Sequence, residues 1–124
     1  TSDVLYMRRS LAFTSLGLVN RQLGVPEEAE AAFKRAINID RRNVLASLEL
    51  ADILLEKRDY RGASLHFGTY KYLSQRPSAK GLLVGIKLAK ATGNTDSVAS
   101  DVLKLKNMFP ASPEHAEYLR LYQR

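Results

Sequence analysis

Gly17, Ala51 and Gly85 lie 34 residues apart, and most of their neighbours repeat with them. Leu16, Leu50 and Val84 share the spacing, as do Ala29 with Ala63 and Phe33 with Phe67. A unit of this length is one supersecondary element that cannot bury its apolar face alone, so neighbouring copies must stack. The small residues have a steric purpose. Where the two helices of a hairpin cross, Gly or Ala lets the backbones approach, and the larger Phe fills the space beside them. A Leu at Gly17 would overpack that crossing at a cost of about 1–3 kcal/mol.

This period is the signature of the tetratricopeptide repeat (TPR), a helix-turn-helix unit. The expected fold class is all-α: a TPR helical-hairpin solenoid of about three repeats plus a C-terminal capping helix, forming a single TPR domain over residues 1–124. The repeats fall at about 10–43, 44–77 and 78–111, with the last helix at about 112–123.

The first helix is expected from near Leu5, with Asp3 as an N-cap acceptor and no breaker before Gly24. Gly24-Val25-Pro26 is the turn, since Gly tolerates the left-handed C′ conformation and Pro suits the first turn of a helix. Ala29, Phe33, Ala36 and Ile37 then form a single apolar stripe. The second repeat opens with an almost continuously apolar helix, through Leu45, Leu48, Leu50, Ala51, Leu54 and Leu55, as expected for one covered on two sides. Asp59 caps the helix that carries Tyr60, Ala63, Phe67 and Tyr70. The third repeat is degenerate. One extra residue before Gly93 shifts its register, and its helices read as about 79–91 and 95–108. Ser112 and Pro113 start the final helix.

The formal charge is +6. The basic pairs Arg8-Arg9, Lys34-Arg35, Arg41-Arg42 and Lys57-Arg58 are dispersed at positions that should face solvent, which argues against a nucleic-acid groove. An acidic partner or an anionic membrane surface is the alternative use of such a surface. No apolar run approaches the roughly 18 residues of a membrane span. Cysteine is absent, so disulfides and thiol chemistry are excluded together. His66 and His115, the two histidines, lack metal-ligand spacing, and no nucleophile elbow or phosphate-cradling loop occurs. The chain therefore reads as a binding scaffold rather than an enzyme, with no metal and no cofactor. It opens at Thr1 without Met and reads as a segment of a longer protein.

A TPR array presents the first helix of each hairpin on its concave side. The positions expected to line a peptide groove are Thr14, Leu18 and Arg21 in the first repeat, Leu48, Asp52, Leu55 and Glu56 in the second, and Ile86 and Lys90 in the third. Leu11 and Leu45 share these faces, either open to a partner or covered by neighbouring repeats. Glu49, Asp52 and Glu56 fall on one helix face, where charges lining a groove are a better reading than an acid–base pair. The Lys/Asn set that clamps a C-terminal carboxylate in chaperone-binding TPRs is missing, since Thr14 and Leu18 occupy its places.

Three stretches carry a narrower likeness: Leu16-Gly17-Leu18-Val19, the run from Leu48 to Tyr60, and the run from Leu82 to Lys90. With Asp101 to Pro113, they resemble the C-terminal half of the PilF/PilW family of type IV pilus biogenesis and stability proteins. That resemblance implies a TPR lipoprotein held by an N-terminal lipid anchor, absent from this chain, at the periplasmic face of the Gram-negative outer membrane. It implies a pilotin role, helping pilus secretin subunits to reach that membrane and assemble. It assigns no binding residue here. The other partners expected from the residues are a different peptide segment, as for a generic TPR adaptor, or a second copy meeting the apolar end near Leu5, Leu11 and Phe13.

Overall fold

The structure, a computed structural model, describes residues 2–123. These residues form seven α-helices and no strand: α1 (Ser2–Gln22), α2 (Pro26–Ile39), α3 (Val44–Glu56), α4 (Tyr60–Leu73), α5 (Ala79–Thr92), α6 (Val98–Met108) and α7 (Pro113–Tyr122). The chain divides after Ser74 into two compact units, the first holding α1 to α4 and the second α5 to α7.

In the first unit, α1 and α2 form one hairpin and α3 and α4 another. Helix α1 begins at Ser2, earlier than the sequence suggested, so Asp3 lies in its first turn instead of capping it. There its carboxylate still favours the positive end of the helix dipole. The helix closes in a Schellman turn. Gly24 adopts φ 76°, the Gly24 amide donates to the Arg21 carbonyl (3.1 Å), and the Val25 amide donates to that of Asn20 (2.9 Å).

The second hairpin repeats this turn with a different residue. Arg58 takes φ 65° at the position equivalent to Gly24, and the Asp59 amide reaches the Leu54 carbonyl at 2.8 Å. A left-handed conformation costs a non-glycine residue about 1–2 kcal/mol, against a smaller entropic penalty for glycine in the unfolded chain. Arg58→Gly is therefore expected to stabilise the protein by up to about 1 kcal/mol, read as a higher urea midpoint.

Ala29, Phe33 and Ala36 of α2 are fully buried, with Leu50, Ala51 and Ile53 of α3 and Ala63 of α4. Burying a side chain the size of Phe33, Leu50 or Ile53 stabilises by about 1.5–3 kcal/mol. Gly17 lies directly against the Phe33 ring; a Cβ there would sit 2.5 Å from Cε1. Asp59 caps α4 as expected, accepting from the Gly62 amide at 3.0 Å.

A buried polar network, absent from the sequence reading, joins α1, α2 and α3. Asn43 caps α3 by accepting from the Ala46 amide (2.9 Å). Its Nδ2 donates to Ser10 Oγ (2.8 Å) and Thr14 Oγ1 (2.9 Å). Those hydroxyls donate in turn to the carbonyls of Ala36 (2.8 Å) and Ser10 (2.9 Å). Every polar group in this set has a partner, which is what makes its burial tolerable.

His66 is half-buried on α4. Burial, aided by the nearby Lys34 charge and opposed by Asp59, pushes its imidazole below the ordinary 6.5. The unfolded chain therefore takes up the proton first. This contribution to stability is fully present above the ordinary value and is lost as pH falls below it. Urea midpoints should decline between pH 7 and pH 5, and His66→Gln should flatten part of that decline.

The second unit buries Leu82, Leu83 and Ile86 of α5, Leu105 of α6 and Tyr118 of α7, with Val98, Val102, Phe109 and Tyr122 packed around them. Helix α5 is capped by Ser78 (3.0 Å to the Gly81 amide) and α7 by Ser112 (3.1 Å to the His115 amide). Helix α6 starts at Val98, three residues later than expected near Thr95. The Val98 amide closes a turn on the Thr95 carbonyl (3.2 Å), and Ser97 provides no side-chain cap.

Candidate protein-binding groove

Two sets of hydrogen bonds fix how α1 lies against α3. Near the start of α3, Asn43 reaches Ser10 and Thr14 of α1; near its end, Glu49, Asp52 and Glu56 meet Arg21. Both contacts advance in the same direction, so the two helices run parallel. The faces carrying these residues then form one surface. On α1 the spacing of three and four residues adds Leu11, Leu18 and Gln22; on α3 it adds Leu45 and Leu55.

Arg21 is the ionic centre of this surface. Its Nη1 lies 3.3 Å from Glu49 Oε1 and 2.9 Å from Asp52 Oδ2, and its Nη2 lies 2.7 Å from Glu56 Oε1. Burial pulls the guanidinium pKa down, but Asp52, Glu56 and Glu49 together outweigh it, and the net shift is upward. One planar fork thus ties the first hairpin to the second, a geometry that lysine cannot copy. The Glu49 and Asp52 side chains are nearly buried, whereas that of Glu56 is 58% exposed. The clasp sits between the exposed and buried limits for ion pairs. Arg21→Ala should cost about 1–2 kcal/mol, less at high salt, and Arg21→Lys should recover only part of it. Urea denaturation at two ionic strengths measures both.

The structure sorts the residues expected to line the groove. Leu18 and Leu55 are half-buried, Arg21, Asp52 and Glu56 form the clasp, and Leu11 and Leu45 are 59% and 46% exposed. Three expectations need correction. Thr14 is interior, because its hydroxyl belongs to the Asn43 network. Leu48 is interior as well, since α3 is buried along most of its circumference. Ile86 is fully buried in the core that α6 and α7 complete with α5. Lys90 is exposed, but its ammonium rests 4.7 Å from the centre of the Tyr122 ring, while Lys87 pairs with Glu117 at 3.2 Å. Helix α7 therefore covers the α5 face that was expected to remain open.

Asn43 and Ser10 were missed. Asn immediately before an apolar run is an N-cap signal, and it could have identified the cap. The contacts with Ser10 and Thr14 depend on residues far apart in the chain and leave no local trace.

No protein-family model matches the chain. It is 35% identical over 118 residues to the type IV pilus assembly protein PilF of Pseudomonas aeruginosa strain PAO1, a match covering 95% of this chain and 46% of that protein. A solved structure of Pseudomonas aeruginosa PilF superposes with a TM-score of 0.83 at 34% identity, covering 96% of this chain and 53% of that one. The crystal structure of PilW, a widely conserved type IV pilus biogenesis factor, superposes with a TM-score of 0.69 at 28% identity, covering 89% and 50%. The chain thus spans about half the length of these relatives. Along 95% of its own length it is a homologue of the type IV pilus protein PilF, and it has the TPR hairpin fold of PilF and PilW.

Proposed function

We propose that this chain is a non-catalytic protein-interaction module of type IV pilus biogenesis that engages pilus secretin subunits. In this reading it belongs to a pilotin-like lipoprotein at the periplasmic face of the Gram-negative outer membrane, where it assists secretin localisation and assembly. The observation that carries the reading is the α1–α3 surface, where exposed Leu11 and Leu45 and half-buried Leu18 and Leu55 surround a rigid ionic clasp. Apolar anchors on a pre-formed helical surface suit a peptide segment. The kinship with PilF directs attention to the pilus machinery.

Calorimetric titration with purified soluble secretin segments tests it. Saturable binding that Leu11→Asp and Leu45→Asp abolish is the expected result. Absence of binding by this chain, with binding by full-length PilF, would move the site outside these residues.

A second reading, a generic adaptor that meets another peptide or a second copy, rests on a different face. Leu5, Leu16 and Val19 form an exposed stripe on α1 away from the groove, continued by Leu23 in the turn after it. Light scattering that shows a strict monomer at high concentration would remove self-association.

A further inference from the structure

We propose that the groove of the first unit selects an acidic amphipathic segment, with apolar side chains on the leucines and a cluster of Asp or Glu at the N-terminal end of α1. This rests on the reading of the α1–α3 surface as a peptide groove and adds the chemistry of its occupant.

The argument comes from the two ends of the groove. Arg8 lies on the α1 stripe of Leu11, Ser15, Leu18 and Gln22. Arg41 and Arg42 directly precede Asn43, which is bonded to Ser10 and Thr14, and follow α2, which packs on α1, so they stand beside the N-terminal half of α1. All three arginines are exposed, and among the described residues none has a carboxylate within ion-pair range. Asp40 accompanies them, with its carboxylate accepting from the Arg42 amide at 3.0 Å, and Asp3 lies in the first turn of α1; the three guanidinium groups still outnumber the two carboxylates. Guanidinium forks bind carboxylates in two-point contacts and are weakly hydrated, so an acidic cluster is the complementary partner.

The other end is already furnished. Arg21 there is already taken up by Glu49, Asp52 and Glu56, so an incoming acid would meet a clasp of net negative charge with Glu56 as its exposed carboxylate. Acids on the partner are favoured at one end and repelled at the other, which sets the partner's direction as well as its charge. Arg8 and Arg21 are about 20 Å apart along α1, a distance that a helix of about 14 residues covers.

The test uses labelled peptides of about 16 residues with a helical leucine stripe, followed by fluorescence anisotropy. One carries three Glu at a single end, a second carries Gln in their place, and a third carries Lys. The Glu peptide should bind about tenfold tighter than the Gln peptide, with the advantage shrinking as salt rises. The Lys peptide should bind weakest. Arg8→Glu with Arg42→Glu should erase the advantage. Arg61→Glu with Lys104→Glu, the same charge change at exposed positions elsewhere, should leave it intact.

Equal binding of the Glu and Gln peptides would overturn the acidic preference while leaving the groove reading standing. Equal loss in the two double variants would reduce the effect to net charge and overturn it too. So would displacement by single-stranded DNA of matched charge. If none of the peptides binds and secretin segments fail as well, the groove reading falls with the proposal.

Discussion

Replacing Gly17 by Leu is expected to destabilise the first unit by about 3 kcal/mol, with the melting temperature lowered by roughly 10 °C or more. Helix propensity alone predicts the opposite sign, because a glycine inside a helix costs about 1 kcal/mol relative to Ala. At this position packing wins. The added Cβ would lie 2.5 Å, 2.7 Å and 2.8 Å from three atoms of the Phe33 ring. Phe33 is fully buried and has nowhere to retreat. Even Gly17→Ala should be destabilising, whereas an exposed helical Gly→Ala exchange normally helps. Combining Gly17→Ala with Phe33→Leu checks the cause: the double variant should lose less than the sum of the two single losses, since the smaller side chain vacates the contact. A stabilised Gly17→Ala protein would mean that the hairpin can open at its crossing.

Asn43→Ala is expected to cost about 3 kcal/mol. Loss of an N-cap contributes about 1 kcal/mol, and each of two buried hydrogen bonds contributes about the same. The residue is 7% exposed, so water cannot replace the missing donors without loosening the contact between α1 and α3. Asn43→Asp separates the two roles. It keeps the oxygen that accepts from the Ala46 amide and adds a charge favoured at a helix N-terminus, but removes the Nδ2 donors to Ser10 and Thr14. Its cost should fall between those of wild type and Asn43→Ala. Urea midpoints of the three proteins, measured at neutral pH, give the ordering. Equal losses for Asp and Ala would assign the whole effect to the donors.

The Ser112 cap and the buried stripe from Ala29 to Ala36 were legible because helix caps and helical periodicity are short-range properties. Arg58 shows where local chemistry is overridden. Nothing in an arginine announces φ 65°, but the repeat places it where Gly24 stands in the first hairpin, and the Schellman turn then imposes the conformation.

The candidate surface was legible in part, as a set of faces. Arg21, Asp52 and Glu56 share their surface as the repeat positions suggested, while Thr14, Leu48 and Ile86 turned inward. Repeat position states which face a residue occupies. It does not state whether a neighbouring element closes over that face.

By itself the sequence determined the helical-hairpin repeat, the crossing at Gly17, most helix limits and the kinship with PilF. These depend on residue size and spacing within a few turns of chain. The tertiary structure alone decided that Asn43 is a hub for three helices, that one arginine gathers three carboxylates, and that α7 lies over α5. The contacts that join one helix to another in these sets link residues 26 or more positions apart. Such pairs leave no periodic signal, because only packing brings them together.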